Sequence, residues 1–215
     1  MDKINQLVYF AFMKAPLTPK AEQTRQRIIE QAAVLFNLKG FAGTSYQDLI
    51  EATGVTKGCL YGHFASKEEL AVEAFEYAAQ ILIDKVGEAM APYAHAGQRL
   101  RALLQFYHTY LSKPVLAGGC PVLNTVVEAD DNQPALHARV ILVLNRLHKG
   151  VYKLIELGKA QGHFKASANA QDLATFFVAT VEGGILLGKA YNDSKPLQTV
   201  LRQLERCLQQ ELGDF

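Results

Sequence analysis

The chain contains no tryptophan and only three cysteines in 215 residues. Cys59, Cys120 and Cys207 are far apart, odd in number and outside any CxxC or Cys/His spacing, which excludes a zinc ribbon and a disulfide framework. Net charge is +1 at pH 7, so the chain is not a polybasic, histone-like protein. Long apolar runs are missing. The stretch Leu7–Met13 is too short to span a bilayer. Asn5 and Gln6 interrupt the start, and Lys14 and Pro16 follow, so no secretory signal is read. These absences describe a reduced, cytoplasmic protein with no membrane association. There is no Gly-x-Ser-x-Gly, no phosphate-binding glycine loop and no Cys/His nucleophile pairing, so nothing nominates an enzyme. His95, His108, His137, His148 and His163 lack metal spacing, so no cofactor is called for. Period-two alternation, internal repeats, low-complexity tracts and sustained heptads are absent as well.

What remains is helical periodicity, with 49% hydrophobic residues available for a core. Thr18 reads as an N-cap with Pro19 at the first helical position, and Gly40 closes that helix. Its stripe is Ile28, Ile29, Ala32, Ala33, Leu35 and Phe36. Thr44 with Gln47 reads as a capping box for a second helix, from which Leu49, Ile50 and Ala52 face inward. Gly54 supplies a turn that needs positive φ. Val55, Leu60 and Phe64 anchor a third helix on the first two. Ser66 with Glu69 is a second capping box, opening a helix through about Met90. Further helices are expected over about Gln98–Leu111, Cys120–Ala129, Pro134–Ala160, from Asn169 (a cap, with Asp172) through Tyr191, and from Ser194 and Pro196 to near Leu212. Asp130–Asn132 reads as a loop. This is an all-α chain of three short helices followed by about six longer ones.

Residues 44–64 carry the chemistry. Two short helices joined at Gly54 form a helix-turn-helix, whose second helix suits a DNA groove. From Met1 to Lys67 there are eight Lys and Arg against five Asp and Glu, a modest excess that suits a polyanion. Thr44, Ser45 and Tyr46 lie at a helix N-terminus, where hydroxyls and amides can hold a phosphate. For Thr44, capping alone is the alternative. Thr56 and Lys57 open the third helix, and Lys57 reaches either a base edge, a phosphate or only solvent. Gly58 permits close approach of the backbone to DNA, or fits the helix start. Cys59 is a small packing residue or a contact to a thymine methyl or phosphate. Tyr61 is a half-buried ring or a phosphate contact. Lys67 sits at the start of the fourth helix, placed to hold the DNA backbone.

The run Gly-Val-Thr-Lys-Gly-x-Leu-Tyr-x-His-Phe-x-Ser-Lys-Glu-x-Leu, together with Arg25, Ile28, Ala32, Leu35, Phe36, Gly40, Phe41 and Thr44, resembles the TetR family of bacterial transcriptional regulators. The detailed resemblance covers Glu22 to about Ala79. It implies an N-terminal helix-turn-helix domain and a C-terminal helical domain that binds an effector and dimerises. On this chain those are residues 18–65 (family-type boundaries about 22–82, helix-turn-helix 45–64) and 66–215, after a flexible tail at 1–17. Tyr61 and His63 fall at the family's phosphate-contacting aromatic and imidazole positions. Gly62 departs from the bulkier residue often found there, narrowing the readout of bases. The implied function is a repressor that grips a palindromic double-stranded DNA operator as a homodimer and is released by a small molecule.

The resemblance further implies dimerisation through the last two helices, with Gly183, Gly184 and Gly188 permitting close approach. The effector pocket is expected among Phe106, Tyr107, Tyr110, Cys120, Asn124, Glu128, Leu144, His148, Phe177, Thr180 and Glu182, a set suited to an apolar or aromatic ligand. Glu128 and Glu182 stand out, because buried carboxylates need partners or a purpose. Gly118-Gly119-Cys120 also resembles a subgroup that contains electrophile- and hypochlorite-sensing regulators. That reading makes Cys120 a redox sensor with Lys189 as partner, its thiolate favoured by a helix N-terminus; the alternative is a small apolar packing residue with no redox role.

Overall fold

A computed structural model describes residues 18–129, 133–213 and 215. The expectations for the tail at 1–17, including its apolar stretch Ile4–Met13, and for the 130–132 loop lie outside the described residues. Among the described residues the chain forms helices and no strands: α1 (Pro19–Gly43), α2 (Tyr46–Thr53), α3 (Lys57–His63), α4 (Lys67–Met90), α5 (Ala96–His108), α6 (Pro121–Ala129), α7 (Pro134–Ala160), α8 (Ala170–Tyr191) and α9 (Lys195–Leu212).

Local chemistry sets most of the boundaries. The Thr18 side chain accepts the Ala21 N–H, with Pro19 following, and the Asn169 side chain accepts from Gln171 and Asp172. Gly40, at φ 76° and ψ 169°, breaks α1, and one more turn carries it to Gly43. Ser66 caps α4 through the Glu69 N–H, while the Glu69 carboxylate takes the Ala65 N–H rather than closing on Ser66. The capping box of α2 lies one residue later than the Thr44–Gln47 reading. Ser45 accepts from Asp48 N–H, and the Asp48 carboxylate accepts from Ser45 N–H. The kink at Gly40 turns Thr44 inward, where it is fully buried and its hydroxyl donates to the Gly40 carbonyl. Helix α2 therefore buries Leu49 and Thr53, and Ala52 faces solvent instead of the core.

Two apolar cores result. The smaller joins Ile28, Ile29, Ala32 and Ala33 of α1 to Leu49, Val55, Leu60 and Phe64, and closes on Leu70, Ala74 and Ala78 of α4. The larger is built by α4 to α9, with Leu100, Ile155, Phe177, Ile185, Leu201 and Leu204 among its most buried members. Helix α4 contributes to both, so it physically joins them. In α9 the residues Leu197, Leu201, Leu204, Leu208 and Leu212 form one buried stripe at helical spacing.

Helix α8 is long and apolar enough to cross a membrane by composition, with mean hydropathy 1.4 over its best window. It packs between α7 and α9, and Ala174, Phe177, Val181 and Ile185 are buried there. Two glycines of α8 face the chain's own packing. A Cβ on Gly184 would lie 2.6 Å from Val200 Cγ2, and one on Gly188 would lie 2.3 Å from Leu111 Cδ1. Gly183 alone faces open space.

Candidate functional site

The first site is the face of α3. Gly54 takes φ 67° and ψ 18°, the left-handed conformation that lets α2 stop and α3 start within three residues. Thr56 caps α3 by accepting the Cys59 N–H, and Leu60 is buried beneath the helix. This orientation exposes Thr56, Lys57, Gly58, Tyr61 and Gly62 together, while Cys59 and His63 are half-buried. The Lys57 ammonium lies 5.9 Å from the centre of the Tyr61 ring, and that ring packs 5.3 Å from Tyr46. His63 Nδ1 is shielded and has no hydrogen-bond partner among the described residues.

The flank of this face is tied to α1 and α4. The Lys67 N–H donates to the Tyr46 hydroxyl at 3.1 Å. The Lys67 ammonium folds back onto the Phe41 carbonyl and lies 4.1 Å from the Phe41 ring centre, and its partial desolvation lowers its pKa. Lys39 pairs with Asp48. That pairing, with the Ser45 hydroxyl and amide, holds the Asp48 carboxyl well below the usual range. Arg25 pairs with Glu73 and lies over the Phe64 ring. Of the ten residues read as DNA-facing, Ser45, Tyr46, Thr56, Lys57, Gly58, Cys59, Tyr61, His63 and Lys67 gather on or beside one surface. Thr44 does not, because both its hydroxyl and its N–H are used internally.

The second site is a cavity of about 370 Å³ between α4, α5, α7 and α8. Ile83, Val86, Gly87 and Met90 line it from α4, and Leu103 and Tyr107 from α5. Helix α7 gives Arg146, Leu147, Lys149, Gly150, Val151, Lys153 and Leu154; α8 gives Phe177, Val178, Val181 and Glu182. Only Tyr107, Phe177 and Glu182 of the expected lining are here. Leu144 and Thr180 are not among the lining residues, and Phe106 lines a shallow surface hollow with Tyr93 and Arg101. His148 bonds Thr175 at 3.0 Å. Tyr110 is 1% exposed, and burial together with its neighbour Cys120 raises its pKa. The α4 wall and the cations of α7 were not anticipated, since their spacing reads as ordinary core and solvated surface.

Glu182 is the polar centre of the cavity. Its Oε1 accepts the Cys120 thiol at 3.2 Å, and its Oε2 is shielded, with no hydrogen-bond partner among the described residues. Burial raises its pKa to about 7, the thiol contact opposing this. The same burial, with the neighbouring Glu182 charge, pushes the Cys120 thiol well above its usual value. Tyr107 is raised likewise.

The surroundings of Cys120 work against the thiolate that the redox reading requires. The amides of Val122 and Leu123 do favour the thiolate, but desolvation and a neighbouring carboxylate outweigh them. Lys189 is not its partner; its ammonium donates to Asn124 Oδ1 at 2.7 Å.

Asn124 and Glu128 are likewise not cavity residues. The Asn124 amide donates to Asn37 Oδ1 and to the Gly118 carbonyl, and Asn37, 5% exposed in α1, donates to the carbonyls of Ala117 and Gly119. The Glu128 carboxylate accepts the Phe41 N–H at 2.7 Å and the Ala42 N–H at 2.6 Å. A Cβ on Gly40 would come 2.7 Å from Glu128 Oε2, so this clamp needs glycine at the kink. Short helix α6 thus carries Glu128 and Asn124 to α1, while Cys120, just before its start, reaches the cavity only through Glu182.

The family described as "Bacterial regulatory proteins, tetR family" matches residues 28–74, and "Tetracyclin repressor-like, C-terminal domain" matches residues 96–204. An uncharacterized HTH-type transcriptional regulator of Mycobacterium tuberculosis is 30% identical over 195 residues, covering 88% of this chain and 96% of that one. The HTH-type transcriptional regulator LmrA of Bacillus subtilis is 28% identical, covering 81% and 90%. The crystal structure of a TetR transcriptional regulator from Chloroflexus aurantiacus superposes with a TM-score of 0.86 at 36% identity, covering 91% of this chain and 98% of that one. With the recognition-type helix, the all-helical remainder and full-length likeness in agreement, the chain belongs to the TetR family of helix-turn-helix transcriptional regulators.

Proposed function

We propose that this regulator is a repressor that binds a palindromic operator as a homodimer and leaves it when a small apolar or aromatic molecule fills the α4–α8 cavity. The observation that carries the DNA half is the joint exposure of Thr56, Lys57, Gly58 and Tyr61 on α3, a helix whose other face is pinned by Leu60. Lys57 is placed for base edges or phosphate; Ser45, Tyr46, Tyr61, His63 and Lys67 flank it as phosphate contacts. Residues 18–65 act as the DNA-binding unit and 66–215 as the sensing and dimerising unit. Dimerisation is supported by the apolar outer face of α8, where Phe176, Leu186, Leu187 and Tyr191 are exposed at 44%, 52%, 40% and 69%. One helix-turn-helix reads few base pairs, and a dimer adds a second half-site.

The signal has a physical route. Cavity residue Glu182 holds Cys120 at the start of α6, and α6 holds α1 through Asn124–Asn37 and Glu128. Phe41 in turn holds Lys67 beside Tyr46. A ligand acts by binding the geometry with mismatched half-site spacing more tightly than the DNA-bound one. The test is selection of duplexes from a random pool followed by footprinting. Two inverted half-sites about one helical turn apart are expected. Uniform, purely salt-governed retention of all duplexes would overturn the operator reading.

A further inference from the structure

The polar groups of the cavity are unevenly placed. Arg146, Lys149 and Lys153 recur at helical spacing on α7, line the cavity and are exposed, so they form a cationic edge. Arg146 is held by Gln80 at 3.2 Å, while Lys149 and Lys153 form no ion pair among the described residues. Away from that edge the wall is aliphatic and aromatic until Glu182, the single carboxylate among the lining residues.

We infer that the cavity takes an amphiphilic organic anion: an apolar, ring-containing body whose acidic group rests at the Arg146, Lys149 and Lys153 edge and whose hydroxyl meets the Glu182 carboxyl. The inference rests on the ligand-responsive reading above and adds the chemical class of the effector. A wholly apolar ligand would cover the Glu182 carboxyl and the cationic edge without giving either a polar partner. A cationic ligand would pass three like charges and would satisfy the carboxylate only. A hydroxyl donates to the carboxylate and accepts from the neutral acid, so it fits Glu182 in either state. The volume of about 370 Å³ suits a two-ring body.

Calorimetry on the full chain with four rod-shaped probes tests this. They are a biphenyl bearing a para carboxylate and a para′ hydroxyl, the same acid without the hydroxyl, the hydroxybiphenyl without the acid, and an aminomethylbiphenyl. The hydroxy acid should bind tightest, each single deletion should weaken binding roughly tenfold, and the amine should bind weakest. Lys149→Ala with Lys153→Ala should erase only the advantage of the carboxylate. Glu182→Leu should erase only the advantage of the hydroxyl, and the near-isosteric Glu182→Gln should retain it because an amide still donates and accepts.

Tightest binding by the amine, lost in Glu182→Gln, would overturn the inference in favour of a cation. Equal binding of hydroxybiphenyl and the hydroxy acid would overturn the role of the edge, and failure of all four probes would overturn the class. If the hydroxy acid binds as expected yet does not displace footprinted operator DNA, the ligand class stands and ligand-driven release fails.

Discussion

The helix-turn-helix and the effector cavity solve opposite problems. Residues 46–64 make two helices of eight and seven residues, too short to be stable alone, so their placement depends on caps, one left-handed glycine and a few buried anchors. The output face is consequently polar, exposed and determined locally. The cavity lies among helices of 13 to 27 residues, and its wall is whatever four long helices leave unfilled. Its character depends on contacts between residues far apart in sequence. Punctuation fixes the first region, and long-range packing fixes the second.

The same substitution in each core separates the two. Leu49 and Leu204 are both fully buried, one in the small core and one in the large. Leu49→Ala and Leu204→Ala should each cost about 2–5 kcal/mol in urea denaturation. Only Leu49→Ala should abolish operator binding under conditions where the variant remains folded, since it removes the floor beneath α3. Equal loss of operator binding at matched stability would show that the cores are not separable.

A second contrast is in pH. The carboxyl of Glu182 has a folded-state pKa of about 7, above its ordinary value of 4.5. The folded chain therefore binds more proton than the unfolded chain between those values. Its ionisation opposes folding, so the penalty is present above pH 7, shrinks as pH falls through 7 and is gone below about 4.5. The difference amounts to roughly 3 kcal/mol. Glu182→Gln should therefore gain stability over wild type at pH 8 and not at pH 4.5, read as the difference between their urea midpoints. A difference independent of pH would refute the assignment.

Sequence reasoning reached these regions unequally, for the same physical reason. Pro19, Gly40, Gly54, Ser66, Pro134 and Asn169 act on their immediate neighbours, so the all-helical order and most boundaries were legible. Even there the α2 box slipped by one residue, because Thr44-x-x-Gln47 and Ser45-x-x-Asp48 fit the same local rule and a tertiary turn at Gly40 decided between them. The cavity was only partly legible. Tyr107, Phe177 and Glu182 were found, while Met90 and Val86 look like any core residue until α7 is placed opposite. Glu128 was rightly marked as needing a partner, but its partners are backbone amides 86 and 87 residues away. Asn37 carried a signal that was passed over: a lone amide set between Phe36 and Leu38 in an apolar stretch.

At the output face, Lys57→Ala and Tyr61→Ala should each weaken operator binding by about 1–3 kcal/mol in anisotropy titrations while leaving urea stability unchanged. Both side chains are exposed and add little to the small core. Undiminished affinity in both variants would contradict docking through α3.

The smallest expected effect lies where the regions meet. Glu128 has two carboxylate oxygens on two amides, and glutamine preserves its size while keeping one oxygen acceptor. Glu128→Gln should thus leave one of the Phe41 and Ala42 N–H groups unpaired, at a stability cost of about 1 kcal/mol. Hydrogen exchange should quicken at those two amides and stay unchanged in α8 and α9. If α6 transmits the state of the cavity through this clamp, ligand binding should alter protection at Phe41 and Ala42 in wild type and do so less in Glu128→Gln. Equal responses in both proteins would place the transmission elsewhere, through the part of α4 that the two cores share.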